Sequence, residues 1–441
     1  MPALVFASIP RKTVFAVALI CALTVIARQP AQAQTFTVLH TFTGGADGAN
    51  PLDGLSMDRT GNLYGTASTG GDTQGSCLAH SNGCGVVFEI KPRGSGWVLS
   101  PLYTFTGSPD GRYPVGRVVL GPDDALYGTT QFGGVPGHFG YGCGTVYRVS
   151  PAATSPRSAI SSWTETMLYA PDCQIGDPGY NPLDVGGLVF DASGNIYGTM
   201  YFGGPSLQGT VFELIRSGNQ WTPSTIYNFT GLTDGSAPAA GVTLHQSGNV
   251  FGTTNLNGCN DCQSAGTVYE LTPSQSGWTE ITLHAFIYQQ RTDPQEPNGG
   301  VIFDSAGNLY GSTLAGGIGY GGTVFQLAPS SGGWNFSLIY SFQEELPEIG
   351  PVATLLLDSA GNLYGTTYGE GQFGYGNVFK LSPSAGGWSY TSLYDFQGGS
   401  DGAFPQSTLI IDSEGNLYGT ASEGGSRNCE SGCGTVWEIT P

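Results

Sequence analysis

The side chains with the most chemical reach in this 441-residue chain are a recurring aspartate and a set of cysteines. Asp47, Asp110, Asp177, Asp234 and Asp401 occupy one recurring place, most as Asp-Gly a few residues before Pro51, Pro114, Pro238 and Pro405. Asp293-Pro294 and Glu348-Ile349-Gly350-Pro351 stand at the matching places of two further stretches. Carboxylates gathered around one opening can bind a divalent cation such as calcium, or a polyol. Asp ahead of Gly also caps turns by accepting backbone hydrogen bonds. Recurrence at nearly every equivalent place is what capping demands, so the five acids are ligand-face candidates set against a structural role. Catalytic residues should break a repeat, and few residues do. His40 and His284 replace a recurrent Tyr, His245 replaces a turn Asp, and only His80 and His138 stand in loops. No nucleophile elbow, phosphate loop or metal-binding helix signature occurs. No catalytic, cofactor-binding or metal-ligating residue is assigned.

The cysteines carry a second chemistry. Nine are present, and Cys21 lies in a segment that reads as a secretory leader. In that segment Arg11 and Lys12 form a positive start and Thr13 to Ala27 an apolar run. Ala31-Gln32-Ala33 supplies small residues for cleavage, so residues 1–33 are expected to leave and 34–441 to fold. The apolar run is short for a bilayer, which needs about 20 residues. Eight cysteines then remain in an oxidising compartment, where disulfides are the default. Sequence proximity pairs Cys77 with Cys84, Cys259 with Cys262, Cys429 with Cys433, and Cys143 with Cys173. Each small loop so closed gains about 2 kcal/mol in the chain-entropy model. The Cys259-Asn260-Asp261-Cys262 spacing also fits a redox motif or half a zinc site. A redox pair wants a helix N-terminus, and zinc wants a second pair.

These residues are positioned by a repeat. One phrase recurs seven times, as in Leu63-Tyr64-Gly65-Thr66, Val250-Phe251-Gly252-Thr253, Leu309-Tyr310-Gly311-Ser312 and Leu417-Tyr418-Gly419-Thr420. A turn such as Asp304-Ser305-Ala306-Gly307-Asn308 precedes it. A glycine-rich loop follows, then a strand such as Gly322-Thr323-Val324-Phe325. A Trp opens another strand at Trp97, Trp163, Trp221, Trp278, Trp334 and Trp388. Each unit thus offers four short strands: Gly300 to Phe303, Asn308 to Gly311, Thr323 to Leu327 and Trp334 to Phe342 in the fifth. Seven such units predict an all-β, seven-bladed β-propeller of four-stranded antiparallel blades.

The seventh unit stops at Pro441 after its third strand, and the missing fourth stands at the mature N-terminus as Phe36 to Phe42. That strand is expected to complete the last blade and hide two sheet edges. In this order the loops carrying all eight cysteines and the Asp-Gly acids share one face.

At the repeat phrase the chain resembles the GloVer tandem-repeat, or choice-of-anchor, proteins, over about residues 36–441. The resemblance implies an exported bacterial protein, often with one of several C-terminal anchors, and supplies no catalytic residues. No hydrophobic tail or sorting segment precedes Pro441, so release or periplasmic residence is expected over surface attachment.

Charge narrows the partners. The formal net charge is −19, and loss of Arg11, Lys12 and Arg28 with the leader makes it −22. That disfavours nucleic acid, whose phosphates need basic patches. The expectation is a monomeric, exported, non-catalytic binding or structural module with a glycan or protein ligand and no membrane insertion after leader removal. The alternative is a lyase or hydrolase acting on carbohydrate or another polymer, since propellers host both.

Overall fold

The computed structural model describes residues 34–74, 77, 82–135, 142–152, 163–171, 187–258, 264–288, 292–343 and 349–441. Their regular structure is entirely β, in seven antiparallel sheets. In the fifth, strands Ile302–Phe303, Leu309–Thr313, Thr323–Ser330 and Gly333–Ser341 run from the ring axis outward. The other blades repeat this order. The second adds Arg112–Pro114, which pairs with an extended Leu126–Phe132.

The repeat phrase encodes the contacts that make a ring. A Cβ on Gly311 would stand 2.5 Å from Cζ of Phe325, so the glycine lets the third-strand aromatic lie flat over the second strand. The residue after it bonds the next blade. Thr66 Oγ1 donates to the Gly116 carbonyl, Thr199 to Ala240, Thr253 to Gly299, Ser312 to Ala353 and Thr366 to Ser407. Thr420 donates to Asp53, which joins the seventh blade to the first. The recurrent Trp also works across the junction: Trp97 meets the ring of Tyr418, Trp221 that of Tyr127 and Trp388 that of Tyr310, centroids about 6 Å apart. Core clusters sit between consecutive blades, one at each of the seven junctions. Phe88, Phe325 and Trp437 in these clusters are fully buried, and burying a side chain of that size contributes about 2–3 kcal/mol.

The inner strands are shorter than the sequence predicts, two residues each outside the second blade's extra strand. The reason is visible at Gly300, whose N–H goes to Thr354 Oγ1 of the next blade instead of a ladder partner.

The ring closes as expected. Strand Thr35–Thr41 pairs antiparallel with Thr435–Thr440, from Thr35 opposite Thr440 to Thr41 opposite Thr435. Its register shifts between Val38 and His40, the same place as the shift between Met167 and Tyr169 in the second blade. Phe36 stacks on Tyr394 with centroids 3.7 Å apart.

Candidate functional site

The loop-face acids are held within their own loops. Asp47 accepts from the Thr43 N–H and hydroxyl and contacts His40 Nε2 at 3.1 Å. Asp110 accepts from the Thr106 N–H and hydroxyl and from Tyr103 OH. Asp234 repeats this with Thr230 and Tyr227, and Asp401 uses the Gln397 and Gly399 N–H groups with Tyr394 OH. Each carboxylate braces one turn to the outer strand before it. Burial, with the adjacent acid, pushes the Tyr103, Tyr227 and Tyr394 phenols up. Asp177 lies outside the described residues. Among the described residues no group of three or more His, Cys, Asp or Glu is placed to hold a metal ion.

His40 thus stands in the Tyr place and bonds the same Asp. His284 takes that place in the fourth blade, stacks on Phe336 at 4.1 Å, and is pushed down to about 4 by burial. His245 takes the turn Asp place, accepting the Ser247 N–H at Nδ1. His80 and His138 lie outside the described residues.

Two predicted disulfides are present, Cys77–Cys84 and Cys429–Cys433. Cys143 is disulfide-bonded. Cys173, Cys259 and Cys262 lie outside the described residues.

The site that residue types alone do not reveal is built by the residue before five of the loop prolines. Asn50, Tyr113, Ala237, Glu296 and Phe404 hold φ between 53° and 60° there. A non-glycine residue in this region costs about 1–2 kcal/mol and persists only when its surroundings enforce it. Each gives its N–H to a carbonyl of the preceding blade: Cys433, Cys84, Gln208, Ala265 and Tyr375 respectively. Both described disulfides therefore sit beside one of these anchors. The conformation is shared, but the side chains differ from blade to blade.

Where the seventh, first and second blades meet, these side chains frame a cleft. Two adjoining cavities of about 420 and 350 Å³ share Asn50, Thr69, Asn82 and Glu423. One wall is aromatic: Tyr113 lies edge-on to Phe132 at 6.3 Å, and the Arg112 guanidinium sits 4.8 Å over the Phe132 ring. The other wall is polar. Asn50 donates to the Ser422 carbonyl and accepts from Thr69 Oγ1, and Gln406 donates to Ser422 Oγ. Burial raises the Glu423 carboxyl above the ordinary carboxylate range. Arg112 breaks the repeat, its counterparts being Ala49, Ser236, Gln295, Ile349 and Ala403. A sequence signal for the cleft existed in the changing residue ahead of a constant Pro.

A repeat family described as the Gloeobacter/Verrucomicrobia repeat matches residues 24–177, 141–346 and 263–441. The chain belongs to this family. In this Gloeobacter/Verrucomicrobia repeat protein the matched stretches run through every blade of the ring. No curated protein matches it in sequence. Among solved structures it is similar to an ulvan lyase of polysaccharide lyase family PL25, at 12% identity over 90% of this chain and 95% of that one, TM-score 0.54. It is also similar to the extracellular domain assigned to a one-component system of B. thetaiotaomicron, at 12% identity over 91% of this chain and 39% of that one, TM-score 0.51. At such identities the likeness is one of fold.

Proposed function

We propose that the mature protein is an exported binding protein for polysaccharide, working through the cleft between the seventh, first and second blades, after a leader of residues 1–33 is removed. The observation that carries this reading is the pairing of the Tyr113 and Phe132 rings with Asn50, Asn82, Gln406, Arg112 and Glu423 in one cavity. Aromatic faces take the C–H faces of sugars, while amides and acids take the hydroxyls, the usual division of labour in a ligand pocket. Arg112 favours sugars bearing a carboxylate or sulfate, which guanidinium recognises in a fork. Disulfide-bonded cysteines suit an oxidising compartment. No helix among the described residues is long and apolar enough to cross a membrane.

Glycan-array screening of residues 34–441, followed by calorimetry on the best polysaccharide, tests this. Tyr113→Ala and Arg112→Ala should each weaken binding about tenfold or more. An array without saturable binding, or affinity unchanged from the parent in both variants, would overturn the reading. A second reading is favoured by the raised Glu423 carboxyl beside Arg112: cleavage of the bound chain, with Glu423 exchanging the proton. It requires new reducing ends or unsaturated uronate from that polysaccharide, lost in Glu423→Gln.

A further inference from the structure

The central cavity of about 640 Å³ has a different character from the cleft. Inner strands of the second through seventh blades line it, presenting Val119, Val189, Thr243, Ile302, Leu356 and Ile410 in turn. The Thr243 hydroxyl is already spent on the Val301 carbonyl. The wall of this shaft at the strand residues is therefore mainly apolar, and the cavity's volume lies in the ~300–1,000 Å³ range of small-molecule sites.

One residue contradicts this lining. Just ahead of the inner strands the other units carry Gly54, Gly187, Gly241, Gly300, Thr354 and Thr408, and the second carries Arg117. It is the one charged residue of the cavity wall. Its Nε is buried without a hydrogen-bond partner, and none of the three ion pairs among the described residues includes it. Thr408 Oγ1, in the same wall, is likewise buried and unpartnered. Asp53, at a place where other units have Gly, Ala or Ser, fixes the backbone here. Buried to 2% exposure, it accepts the Gly54 N–H at 2.6 Å and the Arg117 N–H at 2.9 Å. The Thr408 N–H reaches it at 3.4 Å. Asp53 holds Arg117 by its main chain and acts on the guanidinium through its charge, without a side-chain hydrogen bond between them.

Arg117 is half-buried, and a buried guanidinium N–H without a hydrogen bond is costly even with the Asp53 charge nearby. A ligand carboxylate would offset that cost with charge-assisted bonds to Arg117 and a bond from Thr408, and an alkyl tail would exchange water for the shaft's aliphatic wall. We infer that the central shaft binds a medium-chain fatty carboxylate, its head at Arg117 and its tail along the inner strands. This site is separate from the cleft and does not depend on the polysaccharide reading.

Dodecanoate, dodecanol and acetate, titrated into residues 34–441 by calorimetry below micelle-forming concentrations, test the inference. Dodecanoate should bind at one saturable site, and acetate should not bind measurably. Arg117→Met should weaken dodecanoate about tenfold or more and leave dodecanol nearly unchanged; Arg117→Lys should restore part of the loss. Leu356→Trp, which fills the shaft without touching Arg117, should abolish binding of both long-chain ligands while the thermal melt stays cooperative. Absence of saturable dodecanoate binding to the unaltered protein would overturn the inference. So would equal dodecanoate affinity in Arg117→Met, or full binding in a folded Leu356→Trp.

Discussion

The two ends of the propeller are built from one repeat and treat it in opposite ways. At the turn end, Asp304 accepts the Ala306 and Asn308 N–H groups at Oδ1 and the Asn308 amide and Tyr310 hydroxyl at Oδ2. Asp358 and Asp412 make the same four bonds in their own blades. Burial alone would raise these carboxyls, but the hydrogen bonds outweigh it and hold Asp304, Asp358 and Asp412 below the ordinary range. At the loop end the backbone repeats while the side chains ahead of the prolines diverge. Stability is the business of the end that copies itself, and selectivity belongs to the end that does not.

Removing Thr35–Thr41 gives the largest way to break that comparison, because it strips the outer strand from the seventh blade. Cooperative thermal unfolding followed by near-ultraviolet circular dichroism should be lost. A sharp melt near the parent's temperature would mean that the ring does not need its clasp.

His284 is a departure at a bracing position away from the cleft. Its folded-state value of about 4 lies below the ordinary 6.5, so its contribution is intact above 6.5 and is lost as the pH falls toward 4. That loss is on the order of 3 kcal/mol. Denaturant titrations of the parent and His284→Phe should therefore diverge between these pH values, the variant keeping more of its stability. Parallel curves would show that this departure is free of cost.

The turn end is sharpened by Asp304→Ala, Asp358→Ala and Asp412→Ala, each expected to lose about 1–2 kcal/mol in chemical denaturation, and similar amounts to one another. A spread of several kcal/mol among them would end the claim that these turns are equivalent. The smallest effect is expected at the loop end, where Glu423→Gln should move the midpoint by about 0.5 kcal/mol or less, whatever it does to a ligand. A large drop would assign Glu423 a structural part.

Blade number, strand order and the N-terminal clasp are legible in the sequence because each rests on residue types at fixed intervals. The Tyr-Gly-Thr phrase carries both the flat-lying aromatic and the inter-blade hydroxyl bond. The bracing of Asp47, Asp110 and Asp234 is also written there, as a Thr four residues earlier in Thr43, Thr106 and Thr230. The cleft leaves only a trace in sequence, the changing residue ahead of the loop prolines, for two physical reasons. It joins Glu423 to Arg112, distant in sequence and adjacent only after closure, and its walls depend on a left-handed backbone that no proline motif announces. Arg117 is visible as a break in a run of small residues, but the unbonded state of its Nε is a property of the folded ring.

The clasp also orders events during synthesis. Thr35 must wait for Thr440, so the earliest strand made is among the last to find its ladder. Pairings across such sequence distance form slowly, and until then the stacked face of Phe36 and the edge of the seventh sheet both stay open to other chains. A growing polypeptide of this kind would need that interval to be short or shielded, which places the risk of misassembly at the two strands that close the ring and not in the repeats between them.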